Sequence, residues 1–156
     1  MKRQELLKEA VWCILILMWM VFIFYMSAQP GNVSGDISGG VSHWFMKLWN
    51  TVFFQGWDEA EVLLMAEKWN YPIRKLAHMT EFGILAALAY RGTRTIAKRY
   101  VVTFAFVVLY AATDEIHQLF VPGRSGSAID VCIDAIGVAL VLFAIKMQTE
   151  LRNRKR

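Results

Sequence analysis

The chain has 156 residues, enough for one domain, and 56% of them are hydrophobic, with six Trp and ten Phe. That is too apolar for an ordinary soluble domain. The net charge of +4 does not point to nucleic acid, because the basic residues form short clusters directly against apolar segments, where anionic lipid accounts for them.

Residues 10–28 are the first element, nineteen residues without a charge. Such a run crosses a hydrocarbon core of roughly 30 Å at about 1.5 Å per helical residue. Met1-Lys2-Arg3 and Ser27-Ala28-Gln29 give it the outline of a secretory signal. The apolar run is nevertheless longer than a signal core, and Met26 is bulky for its place two before Ala28, so an uncleaved anchor is expected.

The stretch from Pro30 to Gly40, rich in Gly and Ser, reads as a loop. Beyond it Val41, Trp44, Phe45, Leu48 and Trp49 recur at helical spacing. A second stripe, Val62, Met65, Ala66 and Trp69, follows a capping signal in Asp58 and Glu61. These two amphipathic helices, within 41–70, are expected either to lie in the outer headgroup region or to pack against the bundle.

Three more spans are expected over 72–90, 100–121 and 127–145, each with ionisable residues at one end. A mid-bilayer charge costs at least about 2.5–3.5 kcal/mol on insertion scales, so such residues face a bundle interior or a wet cavity. Twelve of the seventeen basic residues precede the first span, fill the link 91–99 or follow the last span. By the positive-inside rule both termini are cytoplasmic. The fold class is therefore an all-α membrane bundle of four spans, N-in and C-in, treated as a single domain over 1–156. Cys13 and Cys132 fall near opposite faces of the membrane, and neither a disulfide framework nor a CxxC metal pattern follows.

On this threading the external ends of three helices gather charge. Arg74, His78 and Glu81 share a face at i, i+4, i+7, with Lys75 beside them. Asp114, Glu115, His117 and Gln118 end the third span. Arg124 lies in the turn, and Asp130, Asp134 and Gly137 share a face of the fourth.

The blocks Arg74-Lys75-Leu76-Ala77-His78-Met79-Thr80-Glu81-Phe82, Asp114-Glu115-Ile116-His117-Gln118-Leu119-Phe120-Val121-Pro122-Gly123-Arg124 and Ser127-Ala128-Ile129-Asp130-Val131 through Asp134 and Gly137 resemble the VanZ-like membrane proteins. Ser27-Ala28-Gln29-Pro30 does so too. The resemblance implies a small protein of the bacterial cytoplasmic membrane, with a relative that contributes to tolerance of the lipid-tailed glycopeptide teicoplanin. Asp134 departs from the pattern, where Asn is expected.

His78, Glu81, Asp114 and His117 are the candidates for acid and base, since imidazole titrates near neutrality; the plain alternative is carboxylate–histidine pairing across the helix interface. Arg74, Lys75, Glu115, Gln118, Arg124, Asp130 and Asp134 are candidates for holding a substrate. Arg124 precedes a helix N-terminus that favours an anion, or it neutralises Asp130 or Asp114. No HExxH or closed ligand set is present and three cations oppose a metal, so neither metal nor cofactor is expected. Ser127 and Asp130 fit a capping box.

Three functions remain open. The first is recognition of an anionic headgroup, lipid-linked envelope precursor or lipid-tailed glycopeptide, and the second is an intramembrane hydrolase or transferase on a lipid-linked phosphate or amide. The third is a structural bundle acting through a protein partner. A homo-oligomer is compatible with each.

Overall fold

The computed structural model describes residues 2–94 and 96–155. Met1, Thr95 and Arg156, and the side chains of Lys2, Arg3 and Glu5, lie outside it, including three basic residues used above to orient the chain. Among the described residues all regular structure is helical: α1 (Lys2–Ser27), α2 (Gly31–Val52), α3 (Glu59–Gly92), α4 (Arg99–Gln118) and α5 (Ala128–Arg154).

Leu6–Ser27 of α1, the whole of α4 and the whole of α5 are long and apolar enough to cross a membrane. Helix α1 turns only a stripe, Ile16, Trp19, Met20, Ile23 and Ser27, toward the bundle. Leu6, Val11, Ile14, Met18, Val21 and Tyr25 are exposed on its other sides. A continuous apolar surface of this extent suits lipid rather than water.

The inner stretch of α3 occupies the centre, where α1, α4 and α5 all pack on it. Phe82, Leu85, Ala86 and Ala89 are buried there with Val107, Val138 and Leu142. This stretch is the expected segment 72–90. It does not qualify as a span by hydropathy, because Arg74, Lys75, His78 and Glu81 occupy its first turns.

Helices α1 and α4 run in one direction and α3 and α5 in the other. Ser27 meets Asp114, Tyr110 donates to the Met20 carbonyl, Lys75 meets Asp130 and a Cβ on Gly137 would strike Met79. One end of the bundle therefore collects the α1–α2 and α4–α5 links. The other holds both termini and the α3–α4 link.

Two expectations are corrected. The Gly- and Ser-rich stretch is not a loop but the first turns of α2. Glycine costs about 1 kcal/mol per residue against Ala in a helix, and packing on α3 outweighs that. Gly31 is required where it stands, since a Cβ would lie 2.0 Å from the Gly123 carbonyl oxygen and the Gly31 N–H donates to Pro122 O.

The second correction concerns Pro72, which does not begin a helix; it lies inside the 34-residue α3. Lys68, whose carbonyl loses the Pro72 donor, is exposed, so water can replace that bond. The Asp58–Glu61 capping box is present in both directions, at 2.9 and 3.0 Å. It starts α3, whose first half forms a second small core with α2 through Met46, Val62 and Ala66.

Candidate functional site

At the end of the bundle that carries the α1–α2 and α4–α5 links, a cavity of about 200 Å³ opens between α1, α2 and α3. Arg74, His78 and Glu81 line it from one face of α3, as their spacing dictates, and Arg124 reaches it from the α4–α5 link. Ser34 and Ser38 of α2 form part of its wall.

Arg124 neutralises neither Asp130 nor Asp114 by direct bonding. Its Nε donates to Gln29 O at 3.1 Å and its Nη2 to Met26 O at 2.9 Å. The guanidinium thus closes the C-terminal end of α1, where carbonyls lack helical donors and the dipole is negative. Its Nη1 is buried with no partner among the described residues. Burial, and after it the Arg74 charge, pushes the guanidinium below its ordinary value, and an arginine so lowered is still a cation at neutral pH.

His78 Nδ1 lies 3.9 Å from Glu81 Oε2, too far for a hydrogen bond, and is buried without a partner among the described residues. The Trp19 indole N–H donates to the Glu81 carbonyl at 2.9 Å, tying this turn of α3 to α1.

Behind the cavity a polar network joins α1, α4 and the start of α5. Ser27 Oγ donates to Asp114 Oδ2 at 2.6 Å, and Gln118 Nε2 donates to the same oxygen at 3.0 Å and to Glu115 Oε1 at 3.4 Å. Glu115 Oε2 accepts the Ser127 N–H at 2.8 Å. This corrects the expected capping box. Ser127 does cap α5, accepting from Ile129 N, but the carboxylate at its N–H comes from α4, while Asp130 pairs with Lys75.

Asp134 is 1% exposed, with Oδ2 unpartnered among the described residues. His117 does not join the cavity; its ring stacks on Phe24, centroids 4.4 Å apart. No three His, Cys, Asp or Glu side chains among the described residues converge as metal ligands do.

The expected site therefore divides. Arg74, His78, Glu81 and Arg124 surround the cavity. Asp114, Glu115 and Gln118 bond the helices together, and Lys75 with Asp130 joins α3 to α5. Sequence reading missed Ser27, Gln29, Ser34 and Ser38 as site residues. Polar residues closing a long apolar run, as Ser27 and Gln29 do, were the available signal for the first two.

Asp114→Leu is expected to lower stability by about 2–4 kcal/mol, since the Ser27 hydroxyl loses its acceptor and Gln118 the shortest of its three. Asp114→Asn, which keeps an acceptor oxygen, should cost much less. Thermal unfolding in detergent decides this, and equal melting of the two variants would contradict it.

The sequence profile of the VanZ/LLP1 family matches residues 12–148. The chain belongs to the VanZ/LLP1 family. The matched region of this VanZ/LLP1 protein contains every side chain of the cavity and of the network behind it. No curated protein and no solved structure matches the chain.

Proposed function

We propose that this VanZ/LLP1 protein spans the bacterial cytoplasmic membrane four times, with the inner stretch of α3 as the fourth span and both termini cytoplasmic. Arg91, Arg94, Arg99 and Arg152 stand together at the terminus-bearing end, which supports that orientation. The cavity then opens at the external face, with the α2–α3 hairpin along the outer interface.

There the protein recognises the anionic headgroup of a lipid, a lipid-linked envelope precursor or a lipid-tailed glycopeptide, and so contributes to teicoplanin-type tolerance. One observation carries this reading. The cationic cavity shares Val41 and Ile73 with an apolar groove of about 470 Å³ lined by Trp44, Trp49, Trp57 and Trp69. A charged pocket that shares a wall with an aromatic groove suits an amphiphile, its head held by Arg74 and Arg124 and its tail in the groove.

Native mass spectrometry of the purified protein is expected to show that Arg74→Gln retains one anionic lipid fewer than wild type. In cells the same variant should lose tolerance to a lipid-tailed glycopeptide, with no change toward a tail-less one. Equal lipid retention by a folded Arg74→Gln protein would count decisively against the site.

A second reading is favoured by His78 and Glu81, which face the same cavity without bonding each other. In a hydrolase or transferase they would serve as base and acid toward the bound headgroup. A folded His78→Ala variant that holds lipid and accumulates it uncleaved supports catalysis, whereas unchanged turnover excludes it.

A further inference from the structure

A second cavity, of about 390 Å³, opens at the opposite end of the bundle, between the start of α1, the α3–α4 link and the end of α5. Arg91, Arg94, Arg99 and Arg152 line it, and no carboxylate is among the described residues that do. Arg94 is engaged within the protein, so the case rests on the other three.

Arg99 is held in place by stacking. Its guanidinium carbon lies 4.0 Å from the Tyr90 ring centroid and 5.9 Å from that of Tyr100. Stacking engages the guanidinium face, and its N–H donors project from the edge. Helix α4 starts at this wall with no side-chain cap bond from Lys98 and no acidic residue in its first turn. Its first N–H groups and positive dipole end therefore receive no side-chain cap from Lys98 and no carboxylate from the helix's own first turn.

A separate observation, a buried hydroxyl, points to a ligand. Tyr90 is 4% exposed and lines the cavity, yet its hydroxyl makes no well-formed hydrogen bond among the described residues and has only the Arg99 and Tyr100 side chains close to it. A buried hydroxyl left without an acceptor is costly, and every charged group among the described residues of the wall is a donor. An oxygen-rich anion would satisfy them together.

We propose that this cavity binds a phosphate group, and that the phosphate belongs to the headgroup of an anionic membrane lipid. The walls favour the lipid over a free phosphate. Ala87 sits one helical turn inward of Arg91, Ile145 one turn inward of Thr149, and Trp12 completes an apolar floor that suits a glycerol backbone and the start of acyl chains. On the orientation proposed above this end meets the inner leaflet, where anionic lipids attract basic clusters; the site stands whichever side it faces.

The test titrates delipidated full-length protein with dioleoyl phosphatidylglycerol and dioleoyl phosphatidylcholine by native mass spectrometry, with inorganic phosphate as competitor. Wild type is expected to prefer phosphatidylglycerol at least tenfold. On an Arg74→Gln background, where the cavity at the other end no longer holds anionic lipid, Arg91→Gln/Arg152→Gln, both at exposed residues, should lose that preference. Tyr90→Phe removes only the poorly bonded hydroxyl, so it should melt no lower than wild type yet bind phosphatidylglycerol three- to tenfold more weakly. Arg74→Gln alone, at the other end, should lose the lipid of that cavity and keep a phosphatidylglycerol preference through this one, which separates the two sites.

Binding of inorganic phosphate at comparable strength, lost in the double variant, would support the phosphate site and reassign its source to a soluble phosphate. No preference in wild type, or the same preference in the well-folded double variant and in Tyr90→Phe, would overturn the proposal.

Discussion

Gly137→Leu is expected to prevent the bundle from assembling. A Cβ at this position would lie 2.5 Å from the Met79 carbonyl oxygen and 3.1 Å from two further Met79 backbone atoms. Backbone cannot rotate aside as a side chain can, so α5 would have to withdraw from α3. Withdrawal would also separate Lys75 from Asp130 and open the core at Phe82 and Val138. Small residues at such crossings allow membrane helices to approach closely. Even Gly137→Ala should cost about 2–3 kcal/mol by overpacking. Gly40→Ala is the control, because nothing lies within 4 Å of its added methyl and the exchange favours the helix by about 1 kcal/mol. Size-exclusion profile and melting in detergent are the readouts. A Gly137→Leu protein that melts near wild type would show that α3 and α5 do not cross as described.

Arg124→Ala is expected to fail in two measurements at once. It removes both bonds that close α1, at Gln29 O and Met26 O, for a stability loss of about 2–4 kcal/mol given the strength of charge-assisted bonds. It also removes a cation from the cavity wall, so anionic lipid retained there should fall at least tenfold. Arg124→Lys keeps the charge but has one amino group where the guanidinium serves two carbonyls; it should recover most of the binding and little of the stability. Arg74→Gln should lose binding alone. Melting temperature and lipid retention, measured on the same preparations, separate these outcomes. Wild-type melting in Arg124→Ala would mean that the α1 carbonyls do not need the guanidinium.

The helices of this VanZ/LLP1 protein were largely legible in its sequence because each carries a local signal. The charge-free run in α1, the reciprocal caps at Asp58 and Glu61 and the turn residues after Gln118 all act within a few positions of themselves. Placement of Arg74, His78 and Glu81 on one face follows from helix geometry alone, and the cavity has all three.

What the sequence could not disclose depends on partners distant along the chain. Four glycines between Gly31 and Gly40 argue locally for a loop, and only docking on α3 and on the Pro122–Gly123 turn makes that stretch helical. Pro72 signals a boundary, yet neighbours on both sides carry α3 through it. Arg124 and Met26 are nearly a hundred residues apart. His117, paired in composition with the carboxylates beside it, stacks on Phe24 of another helix.

By itself the sequence determined where the helical stretches lie, which faces are apolar and that ionisable groups cluster toward one end, since periodicity and chain direction act residue by residue; it predicts six helices where the described residues form five. Only the tertiary structure decided which charges bond one another and which surround an opening. Hydrogen bonding demands separations near 3 Å and defined angles, and helix crossings such as that of Gly137 over Met79 set those distances.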